Sequence, residues 1–339
     1  QLPYLSRQGF TYSPDFHFKD PVLKRLLFLM GPAFIGAAVY QINVLVSTIF
    51  ASMLPEGSVS YLYYADRLLQ FPLGIFAVAL GTAALPSFSS LVAKKEYDEL
   101  KLGLSYSLRL VNFFSLPATL GLMIVSVPIF SLLFQRGAFD ANATLGTAQA
   151  LIYFSFGLWG FSGTKLVVPV FYAMEDTKTP VWIAFWSFVL NLFSSLILMG
   201  EIAAGPDANM LARMVAAISQ NVGLFSLGHG GLALATSISA TFNFLVLLFI
   251  LSRRLGRFPL GEFFLSFLRN LFNSLLMALP LVFIVRSVDW VGTERSLLTH
   301  GVIFLLLLGL GILLYLGLSC LLRCPEWPII REIGRKMTR

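Results

Sequence analysis

The sequence predicts an all-α polytopic membrane protein with eight transmembrane helices. Three observations predict it. The 339 residues are 57% hydrophobic and only 12% charged, with a mean hydropathy of +0.80, whereas a soluble domain is about 45–50% apolar and about 25% charged. Apolar runs of about 20 residues or more recur along the chain, each long enough at 1.5 Å per residue to cross a hydrocarbon core of about 30 Å. The runs are continuous, without the alternating polarity of the roughly ten-residue strands of a membrane barrel. A soluble enzyme and a lipid-spanning β-barrel are both excluded.

The first run covers about 26–54 and the second about 61–92, the latter interrupted by Pro72 and Pro86. The third, about 104–134, contains Pro117 and Pro128, and the fourth and fifth cover about 145–174 and 180–200. After a longer interval come about 231–251, 263–285 and 300–322. Proline and glycine inside such spans are tolerated where a neighbouring helix or a water-filled cavity satisfies the freed backbone groups, an arrangement that transporters use around their sites.

Lysine and arginine collect in cytoplasmic loops. One set of segments carries Arg7, Lys19, Lys24, Arg25, Lys94, Lys95, Lys101, Lys178, Arg253, Arg254, Arg257, Arg323, Arg331, Arg335, Lys336 and Arg339, which is 16, against 4 on the other side, Arg136, Arg213, Arg286 and Arg295. The first set is thereby cytoplasmic, and both termini with it, as an even number of spans requires. The net charge of +7 reflects this topology and gives no ground for a nucleic-acid partner. The polar stretch 1–25 starts at Gln1 and lacks a signal-peptide pattern, so it reads as the start of a fragment or of a processed product.

The outer interval 201–230 is more than a linker. Met210, Leu211, Met214, Val215 and Ile218 recur at helical spacing, with Asp207 placed to cap the first turn. A short helix in the outer membrane interface fits this pattern, and a packed loop helix without function is the alternative.

Of 17 acidic residues, only Asp66 lies inside an apolar span, and Arg67 follows it directly. An ionisable group at membrane depth costs at least about 2.5–3.5 kcal/mol and by default marks a substrate or ion pathway. Adjacent helical residues point about 100° apart, so these two do not simply neutralise each other, and at least one should face a polar cavity. Structural pairing with other helices is the alternative. Pro72 predicts a local break in the same helix. Lys165 lies near the middle of the fourth run, in Gly163-Thr164-Lys165-Leu166-Val167-Val168-Pro169, and needs a partner, a cavity or a bound anion. Arg109 and Arg269 lie near cytoplasmic ends, where snorkelling accounts for them.

Guanidinium and ammonium groups in a cavity point to an anionic substrate, and phosphate linked to lipid or sugar fits. The equipment for catalysis is missing. His17, His229 and His300 fall in polar or boundary segments, no second intramembrane carboxylate pairs with Asp66, and no metal cluster, Walker loop or nucleophile motif occurs. Cys320 and Cys324, one helical turn apart, make neither a disulfide framework nor a complete zinc site. No enzymatic cofactor and no metal site are expected.

The segment Tyr63-Tyr64-Ala65-Asp66-Arg67-Leu68-Leu69-Gln70-Phe71-Pro72-Leu73-Gly74, followed by Ala79-Leu80-Gly81-Thr82 and Leu85-Pro86, closely resembles the eighth helix of the MurJ/MviN family of lipid II flippases. Three further stretches agree in order and spacing. They are Gln41-Ile42-Asn43 through Ile49-Phe50-Ala51-Ser52, then Leu133-Phe134-Gln135-Arg136-Gly137-Ala138-Phe139, and then Lys165 through Pro169, Phe171-Tyr172 and Asp176-Thr177-Lys178-Thr179-Pro180.

The resemblance implies a fold related to multidrug and polysaccharide exporters, in which two six-helix lobes rock about a cationic cavity and two extra helices form a groove for a polyprenyl tail. This chain resembles helices seven to fourteen. Residues 1–25 would then be a cytoplasmic inter-lobe linker, 26–257 the second lobe with an outer insertion at 201–230, 258–323 the groove helices and 324–339 a basic tail. The implied function is outward movement of the undecaprenyl-pyrophosphate-linked peptidoglycan precursor, lipid II, across the bacterial inner membrane. Lipid II, membrane lipids and an N-terminal lobe absent from this chain would be the partners.

By the same resemblance Arg67 contacts pyrophosphate, Asp66 orients or gates, and Lys165, Gln41 and Gln70 complete the substrate set. Some relatives bind sodium through carboxylates in this lobe. Here the aligned residues are Ser47, Asn191, Ser195 and Thr236, which makes a tight sodium site doubtful and leaves membrane potential, a proton or another monovalent cation as the driving force. Export of another lipid-linked oligosaccharide, or a membrane scaffold that transports nothing, are the alternatives.

Overall fold

A computed structural model describes residues 21–202, 210–256, 258–292, 297–322, 324 and 326. The N-terminal basic residues Arg7 and Lys19, the predicted cap Asp207, Arg257, Arg295 and the tail arginines lie outside the described residues. The regular structure is helical, with no strand among the described residues. Helix α1 (Pro21–Ser52) is followed by α2 (Ser58–Pro72), a π-helical turn (Leu73–Val78) and α3 (Ala79–Ala93), the last three forming one continuous span. Then come α4 (Tyr97–Leu133), α5 (Ala141–Ser155), α6 (Leu158–Ala173), α7 (Lys178–Leu198), α8 (Met210–Val222), α9 (His229–Leu255), α10 (Leu260–Arg286) and α11 (Leu297–Leu321).

Six helices are single spans by length and hydropathy, and α5 with α6 makes a seventh as one broken span bent by 46°. For the first predicted run, the described apolar stretch within α1 is Ala38–Ser52, shorter than a span. Six or seven spans are thus counted among the described residues, and the expected count of eight is not confirmed. The bend was not anticipated, and it coincides with a contact from a distant helix. The Ser237 hydroxyl of α9 lies 2.7 Å from the Tyr153 carbonyl and 3.1 Å from the Phe154 carbonyl, which also accepts from the Gly157 N–H at 2.9 Å. Side-chain contacts of this kind accompany kinks in membrane helices.

Close backbone approach orders the bundle. A Cβ on Gly157 would lie 2.8 Å from Ser237 Cα, and one on Gly160 would lie 2.7 Å from Thr241 Cα, so small residues spaced by three let α6 pack directly on α9. Helix α9 also packs along α7, α2 along α5, and α4 along α5, while α1 lies against α7. The inner core, with Phe171, Phe244, Leu166, Val167 and Leu108, is fully buried between α4, α6 and α9.

Helix α10 packs along α4, with α11 beside both. Asn112 of α4 joins three helices, donating to the Phe263 carbonyl at 3.2 Å and accepting from Trp159 Nε1 at 2.8 Å. Arg109, expected to snorkel, instead meets Glu262 in the first turn of α10 at 3.4 Å. The outer helix α8 sits against α7, with Val215, Ala216 and Ser219 buried and Met210, Met214 and Ile218 exposed.

Candidate functional site

Pro72 has no N–H to continue the helical ladder, and the six residues after it wind as a π-helix, so that in place of the predicted break the helix continues with a local change of winding. Such bulges occur often at functional sites. Here the turn borders an open cavity of about 560 Å³ lined by α1, α2, the π turn, α5, α6 and α9. From α1 it is lined by Tyr40, Asn43, Ser47 and Thr48, from α2 by Tyr63, Asp66 and Gln70, from α6 by Lys165 and from α9 by Thr236.

Asp66 and Arg67 diverge, as their 100° separation requires. Asp66 lines the cavity and accepts a hydrogen bond from Gln70 Nε2 at 2.5 Å. The exposed Arg67 guanidinium lies outside the lining, over the Tyr63 ring at 4.9 Å, with Nη1 3.5 Å from Gln70 Oε1. Gln70 thus spans both charges one turn later, and no ion pair joins Asp66 to Arg67 among the described residues. Lys165 lines the cavity without an ion pair among the described residues. Its backbone is set by Gly81, where a Cβ would stand 2.6 Å from the Lys165 carbonyl oxygen.

The four residues expected for ion coupling divide. Asn191 Nδ2 donates to Thr236 Oγ1 at 3.2 Å and approaches Ser239 Oγ at 3.5 Å, while Ser195 Oγ lies 3.5 Å from Asn191 Oδ1. Asn191 and Ser195 are buried, Thr236 reaches the cavity, and Ser47 lines it from α1. Gln41 is exposed and lies outside the lining. Its near neighbours Tyr40, Asn43 and Thr48 take that place and were missed as site residues. Their signal was present, because residues 40, 43, 44, 47, 48 and 51 repeat at three and four and so share one helix face. Asn43 Oδ1 is buried and has no hydrogen-bond partner.

A cavity of this size among helices long and apolar enough to cross a membrane, lined by one carboxylate, one ammonium and several amides and hydroxyls, with a guanidinium beside it, defines a polytopic membrane protein with a polar cleft. The comparisons make this particular. The sequence model of the family described as lipid II flippase MurJ matches residues 1–205, and the chain belongs to that family. It is 35% identical over 247 residues to the probable lipid II flippase MurJ of Vibrio cholerae, covering 73% of this chain and 42% of that relative. A solved lipid II flippase MurJ in an inward closed conformation superposes with a TM-score of 0.66 at 27% identity, over 96% of this chain and 59% of that one. An outward-facing multidrug resistance transporter of the MATE family superposes with a TM-score of 0.51 at 16% identity, over 87% of this chain and 64% of that one, which bears on the fold alone. The chain spans about half the length of the curated relatives it matches.

Proposed function

We propose that this chain is the C-terminal part of a lipid II flippase, moving the undecaprenyl-pyrophosphate-linked precursor outward across the bacterial inner membrane by alternating access. The observation that carries the reading is the convergence of Asp66, Gln70 and Lys165 on one cavity beside a π-helical turn, with Arg67 at the rim. Lys165 would act as a point charge on the anionic headgroup, and Arg67 would swing from Tyr63 to meet pyrophosphate in bidentate fashion. Asp66 and Gln70 would hold Arg67 in reserve and release it on binding. Helices α1–α9 would form the second lobe, and α10 with α11 the groove for the lipid tail. Both termini would be cytoplasmic. The neutral set Asn191, Ser195 and Thr236 supports at most weak cation binding, so membrane potential or a monovalent cation would drive the cycle.

The test is growth rescue of flippase-depleted cells by the complete protein. Arg67→Ala at normal membrane abundance should abolish rescue, and undiminished rescue overturns the role. Competition of headgroup binding by other lipid-linked sugars separates lipid II from another oligosaccharide cargo.

A further inference from the structure

Helix α8 is not a span, yet its depth relative to the membrane is fixed. Helix α7 has 21 residues and ends at Leu198. At 1.5 Å per residue it is about 32 Å long, just enough to cross a hydrocarbon core of about 30 Å. Its last carbonyls therefore stand at the membrane boundary, at the end opposite Lys178. The segment after α8 is bonded to that end of the chain. The N–H groups of Leu224 and Phe225 donate to the Ile197 carbonyl at 3.2 Å, that of Leu227 to Leu198 at 3.1 Å and that of Gly228 to Met199 at 3.1 Å. Before α8, the Ile202 N–H donates to Ser219 Oγ at 3.1 Å. Val215 is buried in one cluster with Ala51, Leu196 and Leu232, near the ends of α1, α7 and α9. Helix α8 is thereby held at the level where α7 leaves the hydrocarbon.

At 100° per residue the surface of α8 divides into three stripes about 100–130° apart. Val215, Ala216 and Ser219 are buried against the bundle. Arg213 and Gln220 form an exposed polar edge. Met210, Met214, Ile218 and Val222 form the third stripe and are exposed, Met210 to 79%. Asn221 falls within that stripe but turns its amide back to donate to the Ala217 carbonyl at 2.7 Å. Just beyond the helix, Leu224 and Phe225 are 76% and 56% exposed, on backbone that the bonds to Ile197 hold in place. A helix that only packed on the bundle would turn polar residues outward. An apolar surface rimmed by polar residues marks an interaction site, and at the depth of the α7 terminus what meets it is lipid.

We propose that α8 is a lipid-binding foot. Met210, Met214, Ile218 and Val222, with Leu224 and Phe225 beyond them, lie among the acyl chains just beneath the headgroups of the leaflet opposite Lys178, Arg253 and Arg254. Arg213 and Gln220 face the headgroups and water. By the distribution of lysine and arginine, that leaflet is the outer one. This contact depends on the spans alone and not on the transport reading.

The experiment places a nitroxide on single cysteines introduced as Met214→Cys, Ile218→Cys or Gln220→Cys, in a Cys320→Ser, Cys324→Ser background. The whole protein is reconstituted in vesicles of phosphatidylethanolamine and phosphatidylglycerol. Collision with oxygen, which concentrates in lipid, is compared with collision with a water-soluble nickel chelate. The oxygen-to-nickel ratio at 214 and 218 should be severalfold above that at 220, and should place those labels about 5–10 Å inside the headgroup boundary. Should the background fail to fold, Met214→Trp with both native cysteines in place reads the same contact, since brominated lipid should quench its added fluorescence relative to the wild type. Nickel collisions that exceed oxygen at 214 and 218 put the stripe in water, and low collision with both puts it under protein. Either result, or Met214→Trp fluorescence unchanged by brominated lipid, overturns the foot.

Discussion

The Cβ position of Gly81 falls 2.6 Å from the carbonyl oxygen of Lys165, so the helix after the π turn rests directly on the backbone that carries the cavity's ammonium group. Gly81→Ala cannot be absorbed by a flexible side chain, because the obstacle is main chain, and α3 or α6 must shift. The expected cost is about 1–3 kcal/mol of stability, together with loss of growth rescue at membrane levels where the wild type still rescues. Gly309→Ala, at a position with nothing within 4 Å, should leave both unchanged. Thermal midpoints and rescue measured on the same two variants check this.

Gln70 is bonded to Asp66 and near Arg67, and its replacement separates the two charges from each other. Gln70→Leu leaves the Asp66 carboxylate without the donor it has in this structure, at a cost of about 1–3 kcal/mol for a partly buried acceptor. Headgroup binding should weaken by about tenfold, while Gln70→Glu should be worse because it sets a second carboxylate beside Asp66. Binding of a soluble pyrophosphate-containing headgroup to the purified complete protein reads both outcomes.

Much of this was legible from residues alone. Asp66 stood out because no other acidic residue lies inside an apolar run, and its divergence from Arg67 followed from the helical step. Pro72 marked the place of an irregularity, but the helix continues there as a π turn and does not break. The orientation of α1 was harder, since Gln41 is the longer polar side chain and Asn43 the one that faces the cavity; only the spacing with Tyr40, Ser47 and Thr48 separates them. The bend between α5 and α6 coincides with a contact from the Ser237 hydroxyl, on a helix about 80 residues later, and no local pattern carries it. Arg109 near a helix end reads as a snorkelling group until α10 brings Glu262 to it.

At the foot of α7, Asp176 accepts from the Thr179 N–H at 3.0 Å and its hydroxyl at 2.6 Å, and the Arg254 guanidinium bonds the same carboxylate. Burial pushes this carboxyl up, but the bonds from Thr179 and Arg254 outweigh it and hold the group below the usual carboxylate range. A carboxylate lowered on folding stabilises above its unfolded value of about 3.9 and loses that contribution as pH falls through the folded value. The Tm difference between wild type and Asp176→Asn should therefore be constant from about pH 7 to pH 5 and shrink below about pH 4. A difference that grows on acidification contradicts the assignment.

Asn112 sits where α4, α6 and α10 meet, fully buried, with its amide split between the Phe263 carbonyl and Trp159 Nε1. Asn112→Leu fills the space but strands the buried Trp159 indole N–H, so it should cost about 1–3 kcal/mol for that donor, while the Phe263 carbonyl keeps its bond within α10. Trp159→Phe strands only the Asn112 oxygen and loses the ring's edge against Phe244, whose centroid is 4.9 Å away. Once Asn112 is replaced, removing the indole N–H no longer breaks a bond and relieves an unpaired donor. The double variant should accordingly be more stable than the sum of the two single losses implies, by about 0.5–3 kcal/mol. Simple additivity in thermal unfolding would mean that the Asn112–Trp159 bond does not hold α6 to α4.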